Sequence, residues 1–208
     1  MTTLREKQRE KRGREILDAA TELISARGYE ETSMENIAGQ AEVGVATLYN
    51  YFGSKLELLH ALFDRYIDEQ LEEGRVVIEN PPADVVEGMA ALFSAYADGM
   101  ARRMPKKLLR ELTAVAFSRQ FSYGKDTLSQ KMRLRDQCRD LMEHYHARGQ
   151  VRQDATADEA AMLCYSAISI PLTLFALDFG VTLEAAKESM RRNLELALTG
   201  LAPQGGTR

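Results

Sequence analysis

From Ile16 to Leu198 the apolar residues recur three and four positions apart, segment after segment. That period places them along one stripe of an α-helix, whereas a strand needs alternation. No alternating β-branched run between turn signals interrupts the pattern, and Ala, Leu, Glu and Arg, all strong helix formers, dominate the chain. The fold class is therefore all-α, with about nine helices. Hydrophobic residues at 45% and charged residues at 28% match a folded globular protein, so order is expected everywhere except at the ends.

Gly, Pro and capping residues set the boundaries. Ile16, Leu17, Ala20, Leu23 and Ile24 form the stripe of a first helix that stops at Arg27-Gly28, where glycine supplies a left-handed end. Thr32 or Ser33 caps a short second helix with Met34, Ile37 and Ala38 inside. A turn, Ala41-Glu42-Val43-Gly44, leads to the segment VATLYNYF, and Ser54 caps a long helix whose end Gly74 weakens. Asn80-Pro81-Pro82 is the strongest punctuation, with proline placed to start the next helix. The expected divisions are a three-helix domain over 1–53, a connecting helix over 54–80, a larger bundle over 81–201 and a flexible tail over 202–208.

The net charge of −4 is unusual for a nucleic-acid binder, but attraction to phosphate is screened within about 8 Å at physiological salt, so local charge decides. Residues 1–14 hold six basic side chains (Arg5, Lys7, Arg9, Lys11, Arg12 and Arg14) against Glu6 and Glu10, a local +4. Residues 1–60 total −2, with eight basic and ten acidic residues. Any basic footprint is a tip.

Other chemistries find little support. Cys138 and Cys164 lie far apart, as expected of a reduced, cytoplasmic chain. Glu143-His144-Tyr145-His146 puts its histidines on different sides of a helix, and neither a Cys cluster nor H-E-x-x-H is present, so no metal is expected. Tyr123-Gly124-Lys125-Asp126-Thr127 lacks P-loop spacing, and no nucleophile elbow or Ser/His/Asp grouping suggests catalysis. No catalytic residue and no cofactor is assigned. Residues 160–177 carry no charge for 18 positions. Ser166, Ser169, Pro171 and Thr173 dilute this run, and a helix apolar all round results when one face meets its own core and the other meets a partner, so no membrane is expected.

Helix, short helix, turn and second short helix make a helix-turn-helix, whose second short helix lies in the DNA major groove. Leu48 and Phe52 form the inward pair of that helix, while Ala46, Thr47, Asn50 and Tyr51 point away and Val45 and Tyr49 flank them. Asn50 can bond adenine N6 and N7, and the Thr47 and Ala46 methyls can meet thymine methyls. Tyrosine hydroxyls, the Thr32 or Ser33 hydroxyl and Lys55 suit phosphates.

The run TSMENIAGQAEVGVATLYNYFGSK resembles the DNA-binding signature of the TetR (tetracycline-repressor-like) family of transcriptional regulators. The resemblance covers residues 12–60, with Ile37-Ala38, Ala41, Val43, Thr47-Leu48-Tyr49, Tyr51-Phe52 and Ser54-Lys55 in register. It implies base contacts from Val45, Ala46, Thr47, Asn50 and Tyr51, and phosphate contacts from Thr32, Ser33, Thr47, Tyr49, Tyr51 and Lys55. Three positions depart from the family pattern: Glu42 stands in the turn where glycine is usual, Gly44 replaces a serine cap, and Ala46 replaces a common glycine.

The expectation is thus a ligand-responsive, homodimeric repressor on a palindromic DNA operator. Leu163, Ala167, Ile170, Leu174, Met190, Leu194 and Leu198 of the last two helices are the candidate dimer interface. Met89, Phe93, Met100, Met104, Phe117, Phe121, Tyr123, Tyr145, Tyr165 and Phe175 are the candidate lining for a small, mostly apolar effector of unknown identity. The alternatives are a redox-sensing regulator using Cys138 or Cys164, and a helical bundle or enzyme that does not bind DNA.

Overall fold

The computed structural model describes residues 3–116 and 125–199. Among these, nine helices and no strand are present: α1 (Leu4–Arg27), α2 (Met34–Gln40), α3 (Val45–Tyr51), α4 (Lys55–Glu79), α5 (Val85–Arg103), α6 (Lys106–Ala116), α7 (Lys125–Ala147), α8 (Ala157–Ala176) and α9 (Leu183–Thr199). They divide into two compact units, one holding residues up to 66 together with α6, the other holding 67–103 and the chain from α7 onward. Where the sequence suggests one bundle from 81 to 201, the division is discontinuous. Its cause is the packing of α6 against α1.

In the first unit, α1 starts earlier than its apolar stripe requires. Thr3 accepts the Glu6 N–H at 3.2 Å while the Glu6 carboxylate accepts the Thr3 N–H at 2.6 Å, a capping box that carries the helix through the basic segment. Ile16, Leu17, Ala20 and Ile24 are buried, and Gly28 ends the helix at φ +97°. Arg65 of α4 fastens the helix from the side, donating to Asp18 at 2.7 Å and to the Thr21 hydroxyl at 2.9 Å. Lys107 of α6 donates to the Ala26 carbonyl at 2.6 Å, placing a cation where the helix dipole is negative.

In the second unit, α8 packs on α7 and α9, and α9 on α5. Asp84 caps α5 by accepting the Val86 and Glu87 N–H groups, so Pro81 and Pro82 precede the helix instead of opening it. Gly74 does not end α4, which continues to Glu79. Its missing side chain has another use: a Cβ there would lie 2.5 Å from the Tyr96 ring and 2.4 Å from the Gln137 amide oxygen. Tyr96 donates to that oxygen at 2.6 Å, and the Gln137 amide donates to the Leu71 carbonyl at 2.8 Å. Lys187 bonds both oxygens of Asp98 at 3.0 Å, tying α9 to α5.

Candidate nucleic-acid interface

The geometry of α3 follows from its two neighbours. Ser33 caps α2 with Asn36 as the reciprocal partner, and Met34, Ile37 and Ala38 bury its inner face. The Val43 N–H then donates to the Ala38 carbonyl at 2.9 Å, and Glu42 sits between them at φ +52°. The turn requires a left-handed residue at the position where the sequence places a charged side chain. Gly44 precedes α3 with no side-chain cap. Leu48 is fully buried and anchors α3 to the unit.

Ala46 and Asn50 lie opposite Leu48, with Thr47 and Tyr49 to either side and Val45 at the edge, and all five are exposed, Tyr49 to 45%. They offer methyl groups, a hydroxyl, an amide and a phenol on one ridge. Tyr51 is half-buried, its ring against Gly13 of α1 and under the Arg9 guanidinium at 5.8 Å. Phe52, expected in the core, is only half-buried because α3 ends there and the chain turns toward Ser54. Ser54 accepts the Glu57 N–H at 3.1 Å, as its capping role requires.

Two expected phosphate contacts look different in the fold. Thr32 is 1% exposed, and its hydroxyl donates to the Gly28 carbonyl at 2.8 Å. It closes the α1–α2 corner and has no surface to offer DNA; the neighbouring Ser33 keeps a partly exposed hydroxyl at the start of α2. Lys55 leans on its own unit, 4.2 Å above the Tyr29 ring and 3.3 Å from the Glu30 carbonyl. Those partners hold the ammonium group at the start of α4. Burial, followed by the Glu30 charge, raises the Tyr29 phenol pKa, so Tyr29 remains neutral beneath it.

In the second unit, Met89, Phe93, Met100, Tyr145 and Phe175 are buried and Tyr165 is partly buried. Met104 belongs to the first unit, and Phe117, Phe121 and Tyr123 lie outside the described residues. A groove of about 370 Å³ lies elsewhere, among Val151, Arg152, Glu159, Leu163, Leu198 and their neighbours. None of the expected effector-lining residues borders it.

The candidate interface residues separate into two groups. On α8, Leu163, Ile170 and Leu174 are exposed, Ile170 to 65%, with Ala167 half-buried between them. On α9, Leu198 is half-buried, but Met190 and Leu194 join Ala186 in a buried stripe facing their own unit. These two therefore belong to the chain's own core, because α9 turns that stripe toward the helices it packs against. By length and composition α8 qualifies as a membrane span, with a third of it buried in the chain.

Cys138 and Cys164 are buried free thiols. Burial pushes the Cys138 thiol well above its ordinary range and the Cys164 thiol up to about 12. A protonated, enclosed thiol is a poor target for oxidants, which removes support from the redox reading.

A short helix anchored by one leucine, preceded by a turn and a capped helix, and carrying an exposed ridge of groove-compatible side chains defines a DNA-binding protein of the helix-turn-helix class. The family model "Bacterial regulatory proteins, tetR family" matches residues 16–62. The HTH-type transcriptional repressor KstR of Rhodococcus jostii is 30% identical over 202 residues, covering 97% of this chain and 87% of that one. The chain belongs to the TetR family of transcriptional regulators. Its fold is shared with the TetR-family repressor FadR of Thermus thermophilus, solved in complex with lauroyl-CoA (TM-score 0.74, 23% identity, 94% of this chain and 98% of that one). It is shared also with FadR of Bacillus subtilis, solved in complex with stearoyl-CoA (TM-score 0.74, 20% identity, 90% and 98%).

Proposed function

We propose that this regulator works as a homodimeric repressor on a near-palindromic operator and is released from it by a long-chain acyl-CoA. The exposed face of α3 carries the DNA half of this reading, with Val45, Ala46, Thr47 and Asn50 at bases and Tyr49 at phosphates, joined there by the half-buried Tyr51, by Ser33 at the start of α2 and by Lys55 on its release from the Glu30 carbonyl. One such ridge reads too few base pairs for specificity, so two copies bind half-sites about 34–36 Å apart. The exposed Leu163, Ile170 and Leu174 of α8 supply a face for the second copy, and its burial there accounts for the uncharged run from 160 to 177.

The acyl-CoA assignment is supported by the acyl-CoA bound in the two FadR structures that share the fold. An acyl chain entering the second unit would have to part the buried Met89, Phe93, Met100 and Phe175 and the partly buried Tyr165, which are apolar or amphipathic, and methionine adapts to an irregular guest. Binding energy favours whichever conformation admits the chain, and DNA affinity falls when that conformation misplaces the half-sites. The test is fluorescence anisotropy on a duplex selected by the protein from a random library, titrated with lauroyl-CoA, stearoyl-CoA, free CoA and laurate. Release by the acyl thioesters alone supports the reading. Undiminished binding at saturating acyl-CoA rejects the effector while leaving the DNA half standing.

A further inference from the structure

The basic segment that opens α1 meets α3 through Arg9, which lies over the Tyr51 ring. It is helical from Leu4, and every residue from Thr3 to Arg12 is exposed. At about 100° per residue, Arg5, Arg9 and Arg12 fall within one arc of about 60°, and Lys7, Lys11 and Arg14 fall within a similar arc on the opposite side. The contact of Arg9 with Tyr51 shows which arc turns toward α3. Gly13 lies on the same flank, with Tyr51 ring atoms 3.7 and 3.8 Å from where a Cβ would stand. The other arc points away. Arg12 and Lys11 are drawn to Glu15 at 3.4 and 3.9 Å, while Arg5, Lys7 and Arg9 make no ion pair among the described residues.

We propose that the amino-terminal two turns of α1 form a second DNA contact, in which Arg5 and Arg9 neutralise backbone phosphates flanking the base pairs read by α3. This rests on the reading that α3 enters the groove. Arg9 is already seated against a residue of α3, and Arg5 lies one turn, about 6 Å, further along the axis. The guanidinium fork suits phosphate oxygens. The opposing lysines stand a helix diameter of about 10 Å away, beyond the screening length of about 8 Å. The arm contributes affinity without base preference, and it explains why a chain of net charge −4 carries +4 at one tip.

The two arcs provide an internal control, since Arg5→Gln/Arg9→Gln and Lys7→Gln/Lys11→Gln remove the same charge from exposed positions. Affinity is measured on the selected duplex and on an unrelated duplex across a salt series. The arginine pair should lose about tenfold or more on both duplexes and lower the slope of log K against log salt by about 1.8 per half-site. The lysine pair should lose less than about threefold, and Arg5→Lys/Arg9→Lys should retain most of the binding. Equal losses from both pairs, or none from the arginine pair, overturn the proposal. If the wild-type chain selects no duplex at all, the groove reading falls and takes the arm with it. If Asn50→Ala relaxes base discrimination while the arginine pair binds normally, only the arm is wrong.

Discussion

Asn193 of α9 donates its side-chain amide to the Ala167 carbonyl of α8 at 2.8 Å, and Ala167 is the residue four positions before Pro171. A proline inside a helix has no N–H for that carbonyl and crowds it. The asparagine supplies the missing donor from the neighbouring helix, so α8 crosses Pro171 without stopping. Asn193→Ala should therefore destabilise the protein by about 1–2 kcal/mol in urea unfolding, because a half-buried carbonyl loses its partner. In a Pro171→Ala background the backbone N–H returns and the same substitution should cost under about 0.5 kcal/mol. Equal costs in the two backgrounds would refute the compensation.

Gly88 and Tyr145 are similarly interdependent. A Cβ on Gly88 would lie 1.8 Å from the Tyr145 hydroxyl, which donates to the Pro82 carbonyl at 2.8 Å. Gly88→Ala should destabilise by about 2–3 kcal/mol through overpacking, against the helix propensity that ordinarily favours alanine. Adding Tyr145→Phe removes the nearest atom and should recover part of the loss, read as a rise in the thermal midpoint of the double variant over Gly88→Ala alone.

Glu42 holds a left-handed conformation at φ +52° in the turn before α3. For a side chain other than glycine this costs about 1–2 kcal/mol. Glu42→Gly should raise stability by about 0.5–1 kcal/mol, after the entropy that glycine loses on folding. Because the φ is kept, α3 should keep its pose and the selected duplex its base preference; a changed preference would show that the Glu42 side chain itself influences reading.

Alkaline pH should destabilise the second unit through its buried thiols and Tyr165. Burial raises Cys164 from 9.0 to about 12 and Tyr165 from 10.0 to about 12, with Cys138 also moved up. A raised folded pKa means the folded state holds the proton longer than the unfolded chain. The contribution is fully present below pH 9 and is lost as the pH climbs toward 12, with a slope near −1.4 kcal/mol per pH unit for each thiol once the unfolded chain ionises. Cys164→Ala should flatten the fall of thermal midpoint between pH 9 and 11. A thiol reagent at pH 7 should label the folded protein slowly and leave duplex binding intact.

Much of the DNA-binding end was legible in the sequence because its determinants are local. Ser54 announces its cap by spacing, Leu48 its burial by period, and Glu42 its strained turn by standing where the family places glycine, while the cap of α2 stays open between Thr32 and Ser33. Thr32 shows the limit: it stands beside Ser33 with the same chemistry, and only the Gly28 carbonyl beneath it decides that it turns inward. The rest depends on tertiary contacts that spacing does not encode. The packing of α6 on α1, the close approach of Tyr96 to Gly74, and the choice of which α9 stripe faces inward are all made between segments remote in sequence. Met190 and Leu194 carry the same period as an interface stripe; the fold places them in the core.

Asn50 and its neighbours on α3 are the proposed readers of base edges. Anisotropy titrations of wild type and Asn50→Ala against the selected duplex and its set of single-base variants test that role most directly. Loss of discrimination at one or two positions per half-site, worth about 1–3 kcal/mol each, with the remaining positions still distinguished, is the predicted result. A uniform loss across every variant, or wild-type discrimination retained by Asn50→Ala, would contradict it.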